Sequence, residues 1–266
     1  MIMNIYLKLT KQFNAGRIRA VISSGQAVVL HRLAIMSKDG DWIIREDAET
    51  MKSILTVLAK YKARYRFGAP LDVRWMSGGW SSHFEFRHEP LRIRTDFFTR
   101  PPRISERELK SIWEEQASRE IPFVNVRHLA EIKKTNRERD YSVIGELARL
   151  MRAPADQLLY SRSARDLTAV AEKHPELARK LKMRRPLLEK ISEGRDKLEE
   201  ALDAERRFLI HSNEERLRSF MVASQKWFEV WPEIEREIVG CSLQKAHEIV
   251  VRRAENILPF KPGKDG

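Results

Sequence analysis

The run Leu91-Arg92-Ile93-Arg94-Thr95-Asp96-Phe97-Phe98 alternates apolar and polar side chains, a period of two that suits a strand with one buried face. Asp96 lies near its end. Upstream, Asp39-Gly40-Asp41 sets two acids two positions apart, so that on a strand both carboxylates project to the same side. Two anions held that close repel. Hard oxygen ligands around a divalent cation relieve the repulsion, and magnesium takes a few carboxylates plus substrate phosphates more readily than a full protein cage. A third carboxylate on a neighbouring strand, Asp96, would let two ions clamp the attacking and leaving oxygens of an in-line displacement.

Around these acids the pattern is mixed. Residues 19–23 form a short apolar strand that enters a helix at 26–33 through Ser24 and Gly25. Small residues at such a junction let backbone N–H groups approach a phosphate. A strand at 41–44 and a helix at 47–61, with Met51, Ile54, Leu55, Val57 and Leu58 at helical spacing, come next. Further strands are expected at 64–67, 71–76, 83–87 and 91–98, with a turn at Gly78-Gly79 and an end at Pro101-Pro102. The fold class is α+β, a mixed sheet with flanking helices followed by an all-α region.

After the sheet, helices are expected at 106–118 and 126–151. On the second, Lys133, Arg137 and Asp140 fall at i, i+4 and i+7, on the side of apolar Leu129, Ile144, Leu147 and Met151. Charges in a core-facing stripe need partners or an occupant. The alternatives are a binding stripe, and a lattice of ion pairs on a helix turned differently or broken near Asn136.

Composition narrows the partners. In 266 residues, 42% are hydrophobic and 33% charged, as in soluble globular proteins, and no apolar run approaches the length of a membrane span. The amino terminus has no secretory pattern, and the single cysteine, Cys241, points to a reducing cytoplasm and excludes a cysteine-rich zinc site. The net charge of +12 is uneven, with 17 Lys and Arg against 9 Asp and Glu in residues 1–100 and 11 against 11 in residues 201–266. A basic surface around an acidic centre suits a nucleoside triphosphate or a nucleic-acid backbone, although solubility alone would also use such charge.

Ser24-Gly25, a gap of 13 residues, Asp39-Gly40-Asp41 and the later Asp96 make residues 18–151 similar to bacterial nucleotidyltransferase-like proteins built on the DNA polymerase beta catalytic fold. That superfamily includes minimal nucleotidyltransferases and abortive-infection toxins. The stretch Lys133-Lys134-Thr135-Asn136-Arg137-Glu138-Arg139-Asp140-Tyr141 resembles the basic helix that follows the catalytic sheet in many relatives. The resemblance implies transfer of a nucleoside monophosphate from a triphosphate to a hydroxyl of RNA or of a protein, in a toxin–antitoxin or phage-defence setting with an antitoxin as a further partner. Asp39, Asp41 and Asp96 would be catalytic and hold magnesium. Ser24, Gly25, Lys133, Lys134 and Arg137 would bind the nucleotide. Relatives carry Gly-Gly or Gly-Ser where this chain has Ser24-Gly25, and a hydrophobic residue where it has Gly40, a glycine expected to loosen the strand. These departures keep open a catalytically silent fold that binds nucleotide or nucleic acid. Asp72 and Glu85 are the other candidates for third acid, read instead as a turn cap and a solvent-facing strand residue.

The expected division is a nucleotidyltransferase-like domain over 1–153 and a helical domain over 154–266, with helix breaks near Pro175, Pro186, Pro232 and Pro259. Leu188, Ile191, Leu198 and Leu202 form a bundle-core seam. Arg206 and His211 resemble the RNase motif of a helical partner domain, without flanking support. Trp227 and Trp231 read as a packing stripe, and His31, His83 and Cys241 as structural residues.

Overall fold

The computed structural model describes residues 4–263 apart from Ser118. The chain is α+β. Its strands are β1 (Ala20–Ser23), β2 (Asp39–Ile44), β3 (Arg64–Tyr65), β4 (Ser82–His88) and β5 (Leu91–Phe98). They form one sheet in the order β1-β2-β5-β4-β3. Only β2 and β5 run parallel; every other neighbouring pair is antiparallel.

One face of the sheet is apolar. Trp42 and Phe97 stack at 5.4 Å, and Phe13 and Phe84 meet them edge-on. Phe13 comes from α1 (Ile5–Phe13), whose Thr10 hydroxyl accepts a hydrogen bond from the Trp42 indole. Burying an aromatic is favourable only if its polar edge finds a partner, and Thr10 supplies one. α2 (Ser24–Leu30) follows β1 directly, and α3 (Ala48–Lys60) is capped by Asp47, which accepts from the Thr50 amide.

Residues 71–76, expected as a strand, instead hold the short helix α4 (Val73–Met76). Asp72 caps it by accepting from the Arg74 amide, and a local cap outweighs alternating hydrophobicity over so few residues. The capping role expected of Asp72 is therefore met. The carboxylate of Glu85 is buried, not solvent-facing: Arg64 and Arg92 clamp it, with Arg92 Nε at 2.8 Å. α5 spans Glu106–Glu114 behind a Ser105–Glu108 capping box, shorter than expected; Ser118, the expected end, lies outside the described residues.

The chain divides into two compact units, Met1–Val124 with Leu217–Gly266, and Asn125–Arg216. The boundary expected at 153/154 falls within the second unit. The reason lies in the last hundred residues or so, which do not form one bundle: the carboxyl-terminal segment returns to the sheet. α12 (Gln225–Ile238) donates from the Trp227 indole to the Gly68 carbonyl, and α13 (Leu243–Glu255) packs on α3 and β3. Trp75 and Trp80 donate to the carbonyls of Leu258 and Pro259. Gly78 is required here, since a Cβ would occupy the place of the Phe260 carbonyl. α12 continues through Pro232, where a break was expected.

The second unit comprises α6 (Val126–Ile132), α7 (Arg139–Leu150), α8 (Pro154–Tyr160), α9 (Ala164–Lys173), α10 (Pro175–Leu181), a 3-10 turn at Pro186–Glu193 and most of α11 (Arg195–Ala223). Leu188, Leu198 and Leu202 lie in its apolar core with Leu158, Leu167 and Leu181. The continuous helix expected over 126–151 is broken between α6 and α7, around Asn136, which was the alternative to a binding stripe, and Lys133 and Arg137 at the break both pair with Asp140. Among the described residues no helix is long and apolar enough to cross a membrane.

Candidate active site

The site is built on the polar face of the sheet. In the parallel pair, Asp41 stands opposite Asp96 and Asp39 opposite Arg94. Residues paired across a ladder share a face, and so do residues two apart on one strand. Asp39, Asp41 and Asp96 therefore project from the same side, with Ser23 of β1 beside Asp41 and His83 of β4 beside Asp96. Neighbouring strands are about 4.8 Å apart, which sets the spacing of this row.

Asp39 has a divided environment. Its side chain is 44% exposed, yet Oδ1 is turned inward without a hydrogen-bond partner, and the nearest cation, Arg94, is 3.9 Å away. A buried carboxylate oxygen without a donor is costly, and a cation would relieve it. Asp96 is better satisfied. His83 Nδ1 lies 2.7 Å from its Oδ1 and Arg66 approaches the same atom at 3.4 Å.

The segment leading into β2 is held tightly. Gln26 of α2 donates to the carbonyls of Ser37 and Asp39, and Ser37 Oγ also donates to Asp39. Gly25 is needed for this approach, because any side chain there would overlap Ser37. Gly40 tightens the strand and does not loosen it: the Trp42 and Tyr6 rings lie over its backbone, 2.5 Å from where a Cβ would stand. Tyr6 then donates to the Lys38 carbonyl at 2.6 Å. Burial, and after it the charges of Asp39, Asp41 and Asp96, push its phenol up to about 12. Ser24 has φ +47°, a left-handed conformation unusual for a residue with a side chain, and it turns the chain from β1 into α2.

Lys133, Lys134 and Arg137 belong to the second unit, where carboxylates already hold them. Lys133 and Asp140 form a 3.0 Å pair with side chains 8% and 5% exposed, and Arg137 and the Thr135 hydroxyl complete the shell of Asp140. Burial works against that carboxylate, but Lys133, Thr135 and Arg137 together outweigh it and hold its pKa below the ordinary value. Lys134 pairs with Glu131 at 2.8 Å and lies over the Tyr160 ring; burial lowers its pKa. Arg206 pairs with Asp203, and His211 with Glu215, on their own helix.

Among the described residues no group of three or more His, Cys, Asp or Glu is gathered closely enough to hold a metal ion. Magnesium does not require one, since it is commonly bound by one or two carboxylates together with substrate phosphates. The oxygen-only pair Asp39 and Asp41, with an orphaned oxygen on Asp39, fits that chemistry.

Sequence reasoning took His83 as an isolated structural residue and passed over Arg66, Ser81 and Tyr6. The signal for His83 was present: Glu89-Pro90 is a two-residue hairpin turn, and counting back from His88 opposite Leu91 brings His83 opposite Asp96.

No protein-family model matches the chain, and no curated protein matches it. Two solved structures from Helicobacter pylori resemble it. One is a candidate nucleotidyltransferase, 11% identical, covering 79% of this chain and 96% of its own, with a TM-score of 0.39. The other is JHP933, also 11% identical, covering 82% of this chain and 97% of its own, with a TM-score of 0.36.

Proposed function

We propose that this chain is a magnesium-dependent nucleotidyltransferase that moves a nucleoside monophosphate from a triphosphate to a hydroxyl of RNA or protein. The observation that carries the reading is the placement of Asp39, Asp41 and Asp96 on one face, with Asp41 and Asp96 in register on adjacent parallel strands. Asp39 and Asp41 would hold magnesium, which when bound supplies charge neutralisation at the phosphates. Asp96, fixed by His83, orients the acceptor hydroxyl and draws on its proton. Ser24 and Gly25 hold phosphate oxygens from the β1 side. Lys133, Lys134 and Arg137 are left to their carboxylate partners, so the proposal rests on first-unit residues alone. A toxin–antitoxin or phage-defence setting, with an antitoxin as partner, follows from the sequence resemblance.

A second reading is a silent fold that binds nucleotide or nucleic acid. What favours it is Asp96 Oδ1, which His83 and Arg66 occupy as in a structural ion pair. The two readings separate when the purified protein is incubated with each labelled triphosphate, magnesium, and total RNA or cell lysate. Covalent label on an acceptor supports transfer; bound but unreacted nucleotide supports the silent fold.

A further inference from the structure

On the β4 side of the site, a chain of hydrogen bonds runs outward from Asp96. His83 Nδ1 lies 2.7 Å from Asp96 Oδ1, and His83 Nε2 lies 3.0 Å from the hydroxyl of Ser81. For Ser81 to donate to Nε2, the ring must carry its proton on Nδ1, which is the tautomer that donates to Asp96. Serine, imidazole and carboxylate are thus linked in the order that activates a hydroxyl as nucleophile.

The arrangement is braced on its outer side. The Arg66 amide donates to the His83 carbonyl at 2.9 Å and the Ala69 amide to the Ser81 carbonyl at 3.0 Å, so one segment pins both residues. Between them Gly68 presses its backbone against the imidazole; a Cβ there would come within 2.5 Å of the ring. A hydroxyl on a fixed backbone, beside a fixed ring, is preorganised in the sense that catalysis requires. His83 and Asp96 remain 27% and 22% exposed, so the hydroxyl's surroundings are not sealed.

The side of the sheet matters as well. Ser23 of β1 pairs with Asp41 and leads directly into Ser24 and Gly25 of α2, whereas His83 of β4 pairs with Asp96 and Ser81 immediately precedes that strand. With a triphosphate held at Ser24 and Gly25, the strand order places Ser81 across Asp41 and Asp96 from it, on the side where Asp96 receives the acceptor hydroxyl.

We propose that Ser81 is an acceptor within the chain itself, a self-nucleotidylation site; this rests on the nucleotidyltransferase reading. Ser81 Oγ attacks the α-phosphorus of a nucleoside triphosphate and an Oγ–P bond forms. The bond from that phosphorus to the bridging oxygen breaks, and pyrophosphate leaves with its electron pair. The hydroxyl proton passes to His83 Nε2. The product is a serine carrying a nucleoside monophosphate on the wall of its own site.

The test is to incubate the full chain with each nucleoside triphosphate and magnesium, with no other acceptor, and to map the product by digestion and mass spectrometry. The expected result is a nucleoside monophosphate on the peptide containing Ser81. Ser81→Ala should lose it, Ser81→Thr should retain part of it, and His83→Phe should reduce it at least tenfold, with unchanged melting temperatures showing that each variant folds. Labelling of Ser81→Ala at the wild-type level overturns the proposal. So does transfer by the wild type to RNA or lysate protein with Ser81 unmodified, an outcome that leaves the transferase reading standing. Absence of transfer to any acceptor overturns both.

Discussion

Asp41 of β2 faces Asp96 of β5 directly across a parallel strand pair, and Asp39 lies two residues away on the same face. Like charges on adjacent strands destabilise a sheet unless something offsets them. His83 and Arg66 do so for Asp96, and Arg94 lies 3.9 Å from Asp39.

The first expectation concerns the acid pair. Asp39→Asn with Asp41→Asn should reduce transfer by at least a hundredfold while leaving the melting temperature unchanged or slightly raised, since the substitution relieves repulsion and removes no packing. Thermal melts and label transfer on one preparation check both halves.

Gly40 gives a prediction of opposite character. Gly40→Val would drive a side chain into the Trp42 and Tyr6 rings, and overpacking of this kind costs about 1–3 kcal/mol. Urea unfolding should show the loss. A neutral result would mean that the rings move aside at no cost.

Gly40, set against the acids around it, shows which parts of the site were legible in the sequence. Periodicity is enough to place Asp96 on a strand and Asp39 and Asp41 on one face, because a period of two fixes sidedness without knowledge of partners. Gly40 read as a weakness because one of the two rings that cover it, Tyr6, comes from a helix far off in the chain, and long-range packing leaves no local trace. The pairing of Lys133 with Asp140 was visible as a charged stripe, but an unbroken helix was the wrong geometry for it: the turn between α6 and α7 brings the two together. Asp72 misled a strand assignment through its cap. The return of α13 to the sheet could not be read at all, since its apolar stripe fits any partner.

The buried pair in the second unit predicts an acid-sensitive step. Asp140 has a lowered pKa, so its contribution to stability is complete above the ordinary aspartate value, about 4, and is lost as pH falls through the lowered one. Asp140→Asn should flatten the pH dependence of unfolding in that window. Asp140→Ala should cost about 3–5 kcal/mol by leaving the Lys133 charge buried and uncompensated, and Lys133→Met in the same chain should restore much of it.

The central claim is transfer of a nucleoside monophosphate, and the position of the label tests it most directly. Parallel incubations with triphosphate labelled on the α-phosphate or on the γ-phosphate, with magnesium and acceptor, distinguish the bond that breaks. The account predicts α-label made covalent on the acceptor, γ-label released as pyrophosphate, and both lost in Asp39→Asn with Asp41→Asn. Covalent γ-label, or α-label transfer undiminished in that double variant, would contradict it.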